Sequence, residues 1–147
     1  MKRAIELSQL AVQHGNYPFG AVVVKDGVVI AEGENRTVTE CDPTACAEMT
    51  ALRNAGKALK SYDLTGCVVY ASCEPCAMCV GAFFFAKISG VFYGIPRAEA
   101  SKYFDTSKQF AEIAKPIDQR SIPATNLCAK EAFKVMDDWG KKHRPVH

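Results

Sequence analysis

At 147 residues, 48% of them apolar and 23% charged, the chain has the size and composition of one soluble globular domain with a real core. A formal charge of +2 is too small to argue for a nucleic-acid partner, and no run reaches the roughly 18 apolar residues of a membrane helix. The N-terminus "MKRAIELSQLAVQ" has helical apolar spacing and no signal-peptide layout, so a cytoplasmic protein is expected.

Residues 3–13 read as an amphipathic helix. "AVVVKDGVVIAEG" reads as a hairpin, two β-branched runs meeting at Asp26-Gly27. A polar loop, "ENRTVTECDPT", ends in residues suited to starting a helix, and that helix is predicted from about Ala45 to Leu59. "CVVYA" (67–71) is a predicted buried strand, and Pro75 opens a helix to about Ala86 whose Phe83, Phe84 and Phe85 are expected in the core. "GVFYG" (90–94) is another strand, and Pro96 starts a short helix through Ala100. The segment 105–126 is irregular with room for one strand, and "AKEAFKVMDDWGKK" closes as a helix with Phe133, Met136 and Trp139 along one stripe. A hairpin followed by alternating helix and strand predicts an α/β fold with a central sheet flanked by helices. No repeat, low-complexity run or linker divides residues 1–147 into more than one domain.

Three of the seven cysteines crowd into "SCEPCAMC", residues 72–79. In a chain without an export signal such crowding points to metal or redox chemistry. Cys76 and Cys79 stand at i, i+3 near a helix start, where the helix dipole favours the thiolates that zinc requires. Cys73 precedes the helix and need not share their direction. A second predicted helix start carries Cys46-Ala47-Glu48. Together they fit the zinc deaminase pattern H-x-E…P-C-x-x-C, in which the glutamate shuttles protons outside the coordination sphere, with cysteine in place of histidine. On an ideal helix residues 46 and 48 lie about 200° apart, so their common direction rests on that pattern. Two other readings stand beside it: a closed structural zinc site of Cys46, Cys73, Cys76 and Cys79, and a thiol-redox pair. Cys41, Cys67 and Cys128 read as unpaired buried thiols, and His14 as a loop residue.

With these residues in view the chain resembles the cytidine deaminase-like superfamily, and within it the small bacterial guanine deaminases. "PFGAVVVKDG", "AEGEN", "DPTACAEMTALRNA" and "YASCEPCAMCVGA" carry the likeness to the superfamily, and "YFDTSKQFAEIAKPIDQRSIP" to the guanine-deaminase branch. The resemblance implies a three-layer α/β/α fold with a mixed five-stranded sheet. It also implies a homodimer in which a C-terminal segment, about 127–147, can be exchanged between subunits. Zinc is the implied cofactor, on Cys46, Cys76 and Cys79, with Glu48 as the proton shuttle. Cys73 is implied to be no ligand. Asn35, the Ala47 backbone N–H, Phe19, Asp105 and Thr106 are the implied substrate contacts. Without the resemblance Asn35 reads as a loop residue bonding its own backbone.

The implied activity is hydrolytic deamination of a nucleobase, guanine to xanthine and ammonia, in purine catabolism. Alternatives are cytosine or an aminotriazine as substrate, a tRNA adenosine deaminase, and a non-enzymatic zinc module. The basic run Lys141-Lys142-His143-Arg144 is the one feature toward tRNA, and it reads more readily as a solvated helix end with cations near the negative end of the dipole. Two departures bear on rate and specificity. Three thiolates leave a zinc site at net −1, a poorer Lewis acid than one with histidine. Three-cysteine relatives offset this with an arginine one turn after the first cysteine, where this chain has Met49, with Arg53 a turn further on. Thr106 stands where guanine deaminases of this branch carry an acidic residue.

Overall fold

In the computed structural model, which describes residues 1–143, Asp26 and Gly27 both have positive φ, 50° and 78°. This mirror-image turn matches the twist of paired strands, so the hairpin forms where its sequence predicts. It joins β1 (Gly20–Lys25) to β2 (Val28–Glu34) in antiparallel register, with Ala21 opposite Gly33. β3 (Cys67–Cys73) pairs antiparallel with the other edge of β1, and β4 (Gly90–Ile95) runs parallel to β3. The order is β2-β1-β3-β4, a mixed sheet.

The expected fifth strand is absent among the described residues. Ser107–Ala114 is a helix and Ile117–Gln119 a single 3₁₀ turn, and no strand follows them. The Asp105 carboxylate accepts the Ser107 N–H at 2.8 Å, and Phe110 and Ile113 recur at helical spacing. An Asx turn leading into the helix and the helical period decide this segment against pairing.

Two glycines fix the layers. A Cβ on Gly20 would meet Ala4 O at 2.2 Å and Ser8 N at 2.5 Å, so α1 (Lys2–Gln13) lies directly on that face. A Cβ on Gly33 would meet Ala47 O at 2.3 Å and Ala51 N at 2.4 Å, so α2 (Ala47–Leu59) lies as close there. Gly33 is the register partner of Ala21, the neighbour of Gly20, and neighbouring strand residues face opposite sides. The two helices therefore cover opposite faces. Ala4 and Ala11 of α1 and Ala47, Ala51 and Ala55 of α2 are fully buried, small side chains that permit the close approach. α3 (Ala77–Ala86) joins α2 on its face, contributing Cys79 and Phe83 to a core with Val23, Leu52, Leu64 and Val69.

Phe84 and Phe85, expected in the core, are 81% and 84% exposed; only Phe83 turns inward. Three consecutive helical residues span about 200° of arc, too wide for one buried stripe. Cys67 is buried as expected, whereas Cys41 and Cys128 are exposed and occupy left-handed turns with φ of 49° and 54°. His14 caps the end of α1, and its ring pairs with Glu34 at 3.0 Å.

The chain divides into two compact units, Met1–Ala111 and the residues from Glu112 onward. In the first, α4 (Arg97–Ala100) follows β4, and α5 (Ser107–Ala114) begins. The second contains α6 (Ala129–Lys142), as predicted. No described residue of the second unit is buried, and Phe133, Met136 and Trp139 stand 70%, 68% and 47% exposed. Arg144 of the basic run and the last residues of the 127–147 segment lie outside the described residues. Among the described residues no helix is long and apolar enough to cross a membrane.

Candidate active site

Both helices near the cysteines start later than their sequences predict. Cys46 is the N-cap of α2, with extended backbone (φ −69°, ψ 162°), and Cys76 is the N-cap of α3 (φ −73°, ψ 169°). Asp42-Pro43-Thr44 is not the helix start; the Asp42 carboxylate instead accepts the Thr44 N–H and hydroxyl, both at 2.7 Å, in the preceding turn. Because Cys46 lies outside the helix, the angle of about 200° between helical positions 46 and 48 does not apply to it.

The two N-caps and Cys79 converge. Cys46 Sγ is 3.4 Å and Cys76 Sγ 3.5 Å from Cys79 Sγ, and all three sulfurs lie within 4.8 Å of one another. Tetrahedral zinc with Zn–S bonds of about 2.3 Å spaces its sulfurs by roughly 3.8 Å, so the trio fits three of four ligand positions. Cys73, at the end of β3, is not part of this cluster, so the closed four-cysteine site does not form. Arg53 does not reach the sulfurs either: its guanidinium donates to Thr44 Oγ1 at 2.8 Å. Met49 packs against the core.

Hydrogen bonds from Cys46 and Cys79, with the N–H groups of Cys79 and Met78 at the start of α3, hold the Cys76 thiol well below its ordinary value. Hydrogen bonding to Cys76, and then burial, pushes Cys46 up against an opposing bond from Cys79, and bonds to both neighbouring sulfurs, then burial, push Cys79 up. The trio thus carries one negative charge readily and resists the next two. A dication among the sulfurs removes that resistance. Glu48 is the adjoining acid–base group, accepting from Cys79 Sγ at Oε2 over 3.6 Å. Only 7% exposed, its carboxyl is pushed up to about 7 by burial.

Cys46, Cys76 and Glu48 line a cavity of about 250 Å³ within the first unit. Phe19, Asn35 and Thr106 line it, as the sequence leads one to expect. Asp105 does not; its carboxylate turns out to Ser107 and is exposed. Ala47 is fully buried and not a lining residue, but its N–H enters no backbone hydrogen bond at the start of α2. Tyr17 and Phe104 were not legible as wall residues. Phe104 packs edge-on to Phe19 at 5.5 Å and tilted against Tyr17 at 5.1 Å. Glu74, though inside the cysteine motif, also carried no predicted role. It accepts the Arg97 N–H at 2.8 Å and so ties the β3 end to α4, and Arg97 and Gln109 also line the cavity.

Comparison with known proteins agrees with this geometry. Residues 1–95 match the cytidine and deoxycytidylate deaminase zinc-binding region. Guanine deaminase of Bacillus subtilis is 45% identical over 141 residues, 95% of this chain and 90% of that protein. The X-ray structure of guanine deaminase from Bacillus subtilis superposes with a TM-score of 0.92 at 42% identity, covering 99% of this chain and 94% of that one. A tRNA-specific adenosine deaminase of Buchnera aphidicola subsp. Baizongia pistaciae is 39% identical over 146 residues, 99% of this chain and 89% of that protein. The α/β architecture is thus a cytidine deaminase-like fold, here with four strands in the sheet.

Proposed function

The chain belongs to the cytidine and deoxycytidylate deaminase family, and from that premise we propose that it is a zinc-dependent aminohydrolase of a free nucleobase, guanine foremost. One observation carries the reading: a buried carboxyl, Glu48, lies 3.6 Å from Cys79 Sγ beside the three-thiol cluster and lines a cavity. A closed structural zinc site has no use for such a group. Cys46, Cys76 and Cys79 would hold the zinc, which when bound acts as a Lewis acid that lowers the pKa of water.

In the reaction a C–O bond forms at the amino-substituted ring carbon, the C–N bond breaks and ammonia leaves. Glu48 takes a proton from the attacking water, gives it to the adjacent ring nitrogen and then helps protonate the leaving amine, general acid–base work for a carboxyl of raised pKa. The Ala47 N–H and Asn35 hold polar atoms of the base, and Phe19, with Tyr17 and Phe104, walls its faces. Thr106 supplies a neutral hydroxyl to the same cavity, and Asp105 supports α5 from outside it.

Likeness to the Bacillus enzyme supports guanine, and likeness to the Buchnera protein supports a second reading, adenosine in tRNA. We also propose a homodimer with the C-terminal segment exchanged, supported by the uncovered apolar stripe of α6. Ammonia release from guanine, cytosine, adenine and a tRNA anticodon stem-loop, with zinc measured on the same sample, separates these readings. Xanthine formation from guanine is expected. Glu48→Gln is expected to lower kcat by about a thousandfold with zinc retained. Full zinc occupancy without deamination of any substrate overturns the proposal.

A further inference from the structure

Asn35 is 3% exposed and lines the cavity, and its carboxamide is held in one orientation. Its Oδ1 accepts the Thr37 N–H at 3.2 Å and the Thr37 hydroxyl at 2.8 Å. A backbone N–H can only donate, so the atom facing it must be the oxygen and the flipped amide is excluded. The nitrogen, Nδ2, then points away from Thr37. Among the described residues it has no hydrogen-bond partner, and no fully buried side-chain nitrogen or oxygen is left unpartnered. Nδ2 is therefore open to the cavity. The loop reading of Asn35 holds for its oxygen, and the nitrogen stays free to meet a ligand.

The loop around this pair is pinned on both sides. The Asn35 N–H donates to Phe19 O at 2.9 Å, and the Arg36 N–H to Ala45 O at 2.9 Å, one residue before Cys46. Behind it, Asn16 Oδ1 accepts the N–H groups of Val38 and Thr39, both at 3.1 Å. The backbone is thus fixed independently of the Thr37 hydroxyl. What that hydroxyl adds is rotational restraint on the Asn35 side chain.

We propose that Thr37 is a positioning residue that makes Asn35 a one-way donor, so that the site selects bases presenting an acceptor, a carbonyl oxygen or an unprotonated ring nitrogen, opposite Nδ2. This deepens the nucleobase reading and rests on it. Without the hydroxyl, the Thr37 N–H alone orients the amide over the longer distance, and rotamers that withdraw Nδ2 become populated. Binding of the base suffers while proton transfer at Glu48 does not, because Thr37 does not touch the catalytic group.

The test uses zinc-loaded wild type, Thr37→Val, Thr37→Ser, Asn35→Ala and the Asn35→Ala/Thr37→Val pair. Steady-state kinetics with guanine are paired with calorimetric binding of 8-azaguanine. Thr37→Val is expected to raise KM and Kd about fivefold with kcat within about twofold, as loss of one hydrogen bond in binding requires. Thr37→Ser restores wild-type values, and in the Asn35→Ala background Thr37→Val has no further effect. An unchanged Kd in Thr37→Val, a Thr37→Ser variant as impaired as the valine one, or additive effects in the pair would each overturn the proposal; additivity would mean that Thr37 contacts the base itself. Wild type that binds 8-azaguanine but deaminates no base refutes the activity while the binding series still decides the role of Thr37. Wild type that binds no purine refutes both.

Discussion

Cys46 Sγ lies 3.4 Å from Cys79 Sγ, although the two residues are 33 positions apart and belong to different helix starts. Their approach brings the N-termini of α2 and α3 to one point. The partial positive charge of two helix ends then falls on a cluster that, as three thiolates, would carry more negative charge than zinc neutralises. Arg53, a turn beyond Met49, does not assist, because it is held at Thr44. The site therefore relies on backbone dipoles where a cationic side chain would otherwise serve.

The third thiolate is predicted to limit the rate. Cys46→His removes one negative charge from the metal shell, and kcat is expected to rise about tenfold with zinc retained at one per chain. Cys46→Ser should weaken zinc at least a hundredfold in chelator competition, since a hydroxyl is a poor ligand beside a thiolate. If Cys46→His lowers both zinc affinity and kcat, the all-thiolate shell is no handicap.

The close seating of α2 on Gly33 makes that glycine a test of how the fold positions the site. An added methyl would press on Ala47 O at 2.3 Å and Ala51 N at 2.4 Å, backbone atoms that cannot swing aside. Gly33→Ala is expected to cost about 3 kcal/mol in urea unfolding and to weaken zinc binding, because the α2 start carries Cys46 and Glu48. Gly81→Ala is the control. Nothing lies within 4 Å of a Cβ there, so the helix should gain about 1 kcal/mol with zinc affinity unchanged.

What was legible in the sequence follows from the range over which each signal acts. The Asp26-Gly27 turn, the strand from Cys67 and the α6 boundaries are set by neighbouring residues, and they appear where predicted. Cys76 and Cys79 were legible from their spacing at one helix start, whereas Cys46, thirty residues upstream, was joined to them only by the deaminase pattern. The start of α2 was misplaced because Thr44 bonds back to Asp42, a competition between turn and cap that composition alone does not resolve. Phe104, Arg97 and Gln109 were missed as cavity residues because only the packing of the segment after β4 against the first hairpin brings them there.

The acid limb of stability should report the Asp63–Lys87 pair. Lys87 Nζ donates to Asp63 Oδ2 at 2.8 Å, and this bond, with those from Thr65, holds the Asp63 carboxyl below its ordinary 3.8. A carboxyl with a depressed folded value contributes fully above its unfolded value and loses that contribution as pH falls toward the folded one. Asp63→Asn should therefore lower Tm near pH 6 and fall progressively closer to wild type between about pH 4 and about pH 2. A constant difference across that interval would show that the carboxylate charge is not what the pair contributes.

Thr106 offers the sharpest test of which base the cavity reads. It is 8% exposed and lines the cavity, and no described hydrogen bond engages its side-chain oxygen. A hydroxyl there reads two adjacent N–H groups weakly, whereas a carboxylate would accept both through charge-assisted bonds. Thr106→Asp introduces that carboxylate into a cavity that Arg97, Glu48 and Glu74 also line, so one cation there opposes part of the repulsion from the two carboxyls. Guanine presents such a pair of N–H groups and cytosine's amidine edge does not, so the ratio of kcat/KM for guanine over cytosine should rise about tenfold. An unchanged ratio with zinc and fold intact would mean that position 106 does not face the base edge, and the choice of base would then fall to Asn35 and Gln109, which line the same cavity.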